Sequence, residues 1–368
     1  MIYNLNDCKS SNKYYGGNAG IKKGIIFNGR NWFIKLPQST RGNRVQEISY
    51  TTSPLSEYIG SNIYKILGFP VHETELGVYN GKVVVMCKDF LRDGDTLVEF
   101  NKVKNAYFPG IEDILTGSSS GSSTDLEEIE IIFENNEVFM ENIDAIERFW
   151  DMFVVDALIG NKDRNNGNWG FIESKGKLKL APVYDNGNSF ANKAGDIKMQ
   201  MLLSNEGKLR NSALVTGVCI FSINGRPVNH YKYISDADND SDLAKAILRV
   251  APKININNLL DFIDSIPEGC YDTTIISDVR REYYKKLLLI RYEECLLPVY
   301  NRLLSSNRIL SLIKSLMEYE DSFGGNYPFA LRYSKLSLKQ KEDVVKGCIE
   351  NKNGSDLYKI ISEVVGRR

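Results

Sequence analysis

Histidine is scarce in this sequence: 368 residues contain two, His72 and His230, far apart in the chain. That argues against a histidine-based metal site or a Ser-His-Asp hydrolase triad. The six cysteines, Cys8, Cys87, Cys219, Cys270, Cys295 and Cys348, are scattered without a C-x-x-C pair. Such spacing favours reduced thiols in a cytoplasm over a disulfide framework or a zinc site. The opening stretch, MIYNLNDCKSSNKYYGG, lacks the apolar h-region of a signal peptide, and no run approaches the length of a membrane span. A formal charge of -1 gives no whole-chain argument for nucleic acid or a membrane surface as partner. What remains, 42% hydrophobic and 25% charged residues, is the balance of an ordinary globular protein. At this length one core stops growing, so two lobes are expected.

The first ninety residues read as β-rich, with one helix. Tyr14–Lys23 carries Gly16 and Gly17, whose backbone can approach phosphates closely. It leads into two predicted strands, Gly24–Phe27 and Trp32–Leu36, around an Asn28-Gly29 turn. Lys35 interrupts the second apolar run, where a strand lysine can reach α- or β-phosphate oxygens. A helix is predicted from an N-cap at Ser53 and Pro54 at the first position, with Leu55, Ile59, Ile63 and Ile66 on one face and Gly68 and Pro70 ending it. Glu57, in its first turn, is a partner for Lys35, and Glu47 is a rival. Two further strands, Val71–Tyr79 and Lys82–Cys87, flank Asn80-Gly81. The second exits through Met86-Cys87-Lys88-Asp89-Phe90, where backbone groups could bond adenine.

Chemistry concentrates further on. Apolar residues recur from Ile143 through Ile146, Trp150, Phe153 and Ala157, a deeply packed helix that aims the loop after it. That loop, NKDRNNGNW, spaces Asp163 and Asn168 as D-x-x-x-x-N, the interval of phosphoryl-transfer catalytic loops. Asp163 can orient an attacking hydroxyl and take its proton late; Asn168 offers a neutral oxygen to Mg²⁺. Arg164 steadies the loop or a phosphate. A hairpin, Trp169–Glu173 and Lys177–Val183, returns the chain to Asp185 in VYDNG, a second metal ligand resembling the D-F-G aspartate with asparagine in place of phenylalanine. Lysine, helix glutamate, D-x-x-x-x-N and post-hairpin aspartate follow the order of a kinase using ATP and Mg²⁺.

LSEYIGSNIYKILGF, VHETELGVYNGKVVVMCKDF, FWDMFVVDALIGNKDRNNGNWGF and LAPVYDNG together resemble the HipA-like protein kinases, closest to the compact CtkA type, over about residues 14–300. The resemblance implies an α+β, two-lobed protein-kinase-like fold, with an ATP-binding lobe over 1–90 and a catalytic lobe over 91–319. It implies phosphate contact by Lys35, a supporting Glu57 and adenine contacts along Met86, Cys87 and Lys88. Asp163 takes the catalytic role and Asn168 and Asp185 the metal. The implied activity is Ser/Thr protein phosphorylation, including self-phosphorylation. Two departures stand out. The chain begins almost at the glycine-rich loop, which speaks against a HipB-like antitoxin partner, and Asn165 stands where HipA's D-x-H-x-x-N has histidine. The loop also looks like that of phosphatidylinositol kinases, and a nucleotide-binding pseudokinase is the remaining alternative.

Downstream, Ser189–Asn205 lies where an activation segment would be, and amphipathic helices are predicted over 241–250, 256–266, 279–297 and 301–319. Arg280, Arg281, Lys285 and Lys286 read as a solvated basic face. Gly117–Thr124 reads as a loop tip and 320–368 as a helical extension.

Overall fold

The two Asn-Gly turns set the frame of the sheet. In a computed structural model that describes residues 1–15, 21–41, 47–107 and 123–306, Asn28, Gly29, Asn80 and Gly81 all adopt positive φ. Each turn closes a hairpin whose strand twist demands that conformation. Strands β3 (Lys22–Phe27) and β4 (Arg30–Lys35) pair across the first turn, and β5 (Thr74–Tyr79) and β6 (Lys82–Lys88) across the second. With β1 (Ile2–Asn4) and β2 (Lys9–Ser10) they form a six-stranded sheet in the order β1-β5-β6-β4-β3-β2. β1 runs parallel to β5 and had no counterpart in the sequence reading. Gly16 and Gly17 lie outside the described residues, as do Cys348, most of 117–124, residues 307–319 and the 320–368 extension.

Period-two alternation sorts the sheet into two faces. On one, Leu5, Ile25, Trp32, Ile34, Val84 and Met86 form a small apolar cluster. On the other, β4 and β6 set Lys35 opposite Val85 and Phe33 opposite Cys87. Helix α1 (Ser53–Ile66) packs on this second face through Leu55, Ile59 and Ile63, together with Leu76 and Val78. Its start differs from the sequence expectation. Thr52, not Ser53, is the cap residue, without a side-chain cap bond, so Glu57 falls in the second turn rather than the first. Ile66 is 40% exposed and is not part of the buried stripe, whose place at this end of the helix is taken by Tyr64 and Leu67. β5 begins at Thr74 rather than Val71, since Val71 instead bridges Val183 in parallel.

The remainder is mainly helical. A second sheet, β7 (Thr96–Glu99), β8 (Gly170–Ser174) and β9 (Lys177–Leu180), contains the predicted hairpin plus a strand that the sequence reading lacked. Next to β7 come α2 (Phe100–Tyr107), α3 (Leu126–Asn135) and α4 (Glu137–Glu141). Helix α5 (Ile143–Ile159) runs through the core, buried almost continuously from Phe149 to Ile159, although Ile143 itself is exposed. It ends at Gly160, in left-handed conformation, where the Arg291 guanidinium lies so close that a Cβ would sit 2.6 Å from it. The chain continues through α6 (Asp196–Leu203), α7 (Glu206–Arg210), the hairpin β10–β11 (Val218–Ile223, Arg226–Asn229), whose Phe221 packs on Phe149 and Phe153 of α5, and α8 (His230–Ser235), which also packs on α5. They are joined by α9 (Asp242–Val250), α10 (Ile256–Asp264) and α11 (Asp278–Arg291), after which the chain stays helical to residue 306.

Within the basic cluster on α11, Lys286 is exposed as expected, but the two arginines are not part of a solvated face. Arg280 is 5% exposed and binds Asp196, the Ala194 carbonyl, Thr52 and Tyr284. Arg281 donates to the carbonyls of Ile263, Asp264 and Ile266, closing the C-terminal end of α10, where a cation suits the dipole. Among the described residues no helix is long and apolar enough to cross a membrane.

Candidate active site

Lys35, the last residue of β4, extends from the α1 face of the sheet and is 8% exposed. Its Nζ donates to Glu57 Oε2 at 2.7 Å and to Asp185 Oδ1 at 2.9 Å. Glu47 lies elsewhere, accepting from the Gly195 N–H at 2.9 Å, so Glu57 is the partner. Burial alone would discharge Lys35, but the carboxylates of Asp185 and Glu57 outweigh it and hold the ammonium above the usual lysine range. Glu57 mirrors this: burial opposes its charge, yet Lys35 and the His72 hydrogen bond keep the carboxyl below the usual carboxylate range.

Asp185 sits at φ 62°, a conformation uncommon for a residue with a Cβ. Its neighbour Asn186 is fully buried and fixes it in place. The Asn186 N–H donates to Glu57 Oε1 at 3.0 Å, and its amide nitrogen donates to Ser61 Oγ at 3.0 Å. Its Oδ1 accepts from Arg164 at 2.6 Å. Gly60 of α1 faces Asn186 so closely that a Cβ would lie 2.8 Å from the asparagine Cβ. This is why glycine occurs in mid-helix there, despite its cost of about 1 kcal/mol relative to alanine.

The loop between α5 and β8 is shaped by its own amides. Asn161 Oδ1 accepts from the Asp163 N–H at 3.2 Å, and Asn165 donates to Asp163 Oδ1 at 3.0 Å while accepting from the Gly167 N–H at 2.9 Å. Asn168 Nδ2 donates to the Asp163 carbonyl at 2.6 Å. Arg164 turns inward, 2% exposed, and uses all its donors on protein: Asp156 twice, the carbonyls of Asn168 and Tyr184, and Asn186. It therefore steadies the loop and has no donor left for a phosphate. Arg164 binds Asn168 itself and the residues on either side of Asp185, Tyr184 and Asn186, and so ties the loop to the end of the hairpin.

The structure thus brings Lys35, Glu57 and Asp185 into contact and joins Asp163 to Asn168. Of the expected adenine segment, Met86 and Cys87 lie in the strand as predicted, and the strand runs one residue further, to Lys88. Met86, Cys87 and Lys88 are the last residues of β6, paired with β4 on one side and, for Met86 and Cys87, with β5 on the other. Met86 faces the small cluster away from Lys35, Cys87 faces the Lys35 side, and Lys88 binds Glu73 at 2.5 Å. The chain leaves the sheet at Asp89, whose carboxylate takes Lys13 at 2.5 Å and the Tyr15 hydroxyl at 2.8 Å. Tyr15 lies on Phe33, ring centroids 4.8 Å apart. Lys22, directly across from Lys35 in the β3–β4 register, is a second lysine on this face, its ammonium 5.8 Å from the Phe33 ring centre. Sequence reasoning missed Tyr15, Lys22, His72 and Asn186. For Lys22 the signal was available, since the hairpin register alone places it opposite Lys35.

A curled sheet whose strand lysine is joined to a helix glutamate and to a post-hairpin aspartate is the arrangement of a protein-kinase-type phosphotransferase. The HipA-like C-terminal domain profile matches residues 19–252, and the chain belongs to that family. It is 32% identical over 279 residues to the serine/threonine-protein kinase CtkA of Helicobacter pylori strain J99, covering 75% of this chain and 80% of that protein. The crystal structure of a Helicobacter pylori proinflammatory kinase CtkA superposes with a TM-score of 0.72 at 28% identity, over 83% of this chain and 98% of that one. A Shewanella oneidensis HipA, solved with HipB and operator DNA, matches with a TM-score of 0.47 at 14% identity, over 79% of this chain and 68% of that one. The chain is a kinase of the HipA-like family.

Proposed function

We propose that this kinase transfers the γ-phosphate of Mg²⁺-bound ATP to serine or threonine hydroxyls of a protein, its own chain included. The observation that carries the reading is Lys35 Nζ held between Glu57 and Asp185. A buried ammonium fixed by two carboxylates from different elements is positioned for phosphate oxygens, as catalysis by charge neutralisation requires. Bound Mg-ATP supplies the transferable phosphoryl group and neutralises charge on its oxygens. The residues present fit that group. Asn168 commits its nitrogen to Asp163 and keeps Oδ1, and Asp185 commits Oδ1 to Lys35 and keeps Oδ2; both are the hard oxygen donors that Mg²⁺ takes. Among the described residues no cluster of three or more His, Cys, Asp or Glu could cage a metal, and an ion shared with nucleotide phosphates needs none.

In this reading Asp163 receives the acceptor hydroxyl. Asn165 occupies its Oδ1, which leaves Oδ2 to orient the attacking oxygen and take its proton. The nucleotide base would lie near the exit of β6, beside Cys87, Asp89 and the Tyr15–Phe33 pair. Radiolabelled ATP with the purified chain and a generic basic protein tests the reading. Asp163→Ala is expected to lower turnover, on added protein and on the chain itself, by about 10²-fold or more at an unchanged unfolding midpoint. Undiminished transfer in that variant would remove Asp163 from the reaction.

A further inference from the structure

The Lys35–Glu57 pair uses one oxygen of Glu57; the other is held by a residue to which the reaction assigns no part. His72 is 3% exposed, and its Nε2 lies 2.9 Å from Glu57 Oε1 and 3.1 Å from Ser61 Oγ. A carboxylate can only accept, so Nε2 carries the hydrogen and donates it to Glu57. Ser61 Oγ in turn accepts from the Asn186 amide at 3.0 Å. The backbone of His72 is anchored as firmly as its ring. Its N–H donates to the Val183 carbonyl at 3.0 Å, the Val183 N–H donates to Pro70 at 2.9 Å, and Val71 bridges Val183 in parallel. The imidazole therefore stands on the very segment that leads into Asp185 and reaches across to the glutamate of α1.

We infer that His72 is a positioning residue that locks the far oxygen of Glu57, so that Lys35 is aimed at the nucleotide in the resting chain. Glu57 is gripped from three elements: Lys35 of β4, His72 ahead of β5, and the backbone of Asn186. With both oxygens engaged, α1 cannot turn its glutamate away without breaking two buried hydrogen bonds besides the ion pair. The inference rests on the reading of Lys35 and Glu57 as nucleotide-positioning residues.

The test compares two polar replacements of similar bulk. His72→Gln has an amide nitrogen long enough to reach Glu57, and His72→Asn does not. For variants with matched melting temperatures, kcat/KM for ATP is expected to fall about 10- to 100-fold in His72→Asn and to stay within about threefold of wild type in His72→Gln, the scale of one buried hydrogen bond to a charged group. In a Glu57→Gln background the same His72→Asn change should cost less than about twofold, because its route of action is already gone. Equal activity of the Asn and Gln variants, or an undiminished loss in the Glu57→Gln background, overturns the inference. Lys35→Met run alongside separates the two levels. If it keeps phosphotransfer, the underlying reading fails; if it is inactive while His72→Asn is silent, only the role of His72 does.

Discussion

Two buried ion pairs, Lys35–Glu57 and Arg164–Asp156, sit at the two ends of one hydrogen-bond network, and they are built for opposite purposes. Arg164 spends five donors on protein oxygens and Asp156 is fully buried, with Tyr64 and Asn161 adding their own donors to it. Nothing in that pair faces a ligand. Lys35 has two protein partners, and one of them, Asp185, has a side chain still 19% exposed. A closed pair fixes geometry; a pair with an open end can receive a substrate. Asn186 connects them, bonded to Glu57 and Ser61 on one side and to Arg164 on the other.

The largest effect should come from breaking the closed pair. Arg164→Met strands the Asp156 carboxylate in the core, and removing one partner of such a pair costs about 3–5 kcal/mol. Urea unfolding is expected to show a loss of that size, with activity following the fold. A variant that unfolds at the wild-type midpoint would mean that Arg164 is not a scaffold residue. Lys35→Met should behave in reverse. Glu57 keeps His72 and the Asn186 N–H, so the stability loss should be clearly smaller than for Arg164→Met, whereas kcat/KM should fall by about 10²-fold or more, as for loss of a group that stabilises transition-state charge. If both variants lose stability and activity in the same proportion, the distinction between closed and open pairs is wrong.

How much of this was legible in the sequence follows from the range of each signal. Local chemistry spoke clearly: the Asn-Gly hairpins, the buried stripe of α5, the D-x-x-x-x-N interval and the run from hairpin to Asp185 are all short-range patterns. Side-chain direction on a strand was half legible. Alternation from Lys35 predicts that Phe33 shares its face, and the cross-strand register adds Cys87 and excludes Met86, yet the register is a tertiary fact. The network was not legible. His72 meets Glu57 only because Val71 bridges Val183, a parallel contact across more than a hundred residues. The α11 arginines misled for the same reason. A basic run looks solvated until the helix that it caps, α10, and the α1 cap that it reaches are in place.

Acidification sharpens the comparison from the other side. Glu57 is held below the usual carboxylate range, so the Lys35 pair resists mild acid. The region behind α5 should yield first, at His230. That side chain is 2% exposed, its ring edge on Phe153 at 4.6 Å, and its Nε2 meets no hydrogen-bond partner among the described residues. Burial, with the charges of Arg291 and Lys162 added and only Asp156 opposing, lowers it from the ordinary 6.5 to about 4. The unfolded chain therefore binds a proton that the folded chain refuses. The stabilisation is complete above pH 6.5 and drains away as pH falls toward 4, amounting to about 2 kcal/mol lost by pH 5. His230→Phe fills the same space without a titrating nitrogen, so its unfolding free energy should change by about 2 kcal/mol less than wild type between pH 7 and pH 5. Parallel pH profiles for the two proteins would show that acid sensitivity originates elsewhere. If the missing slope instead followed Glu57→Gln, the open pair would be the acid-labile one and the ranking of the two regions would reverse.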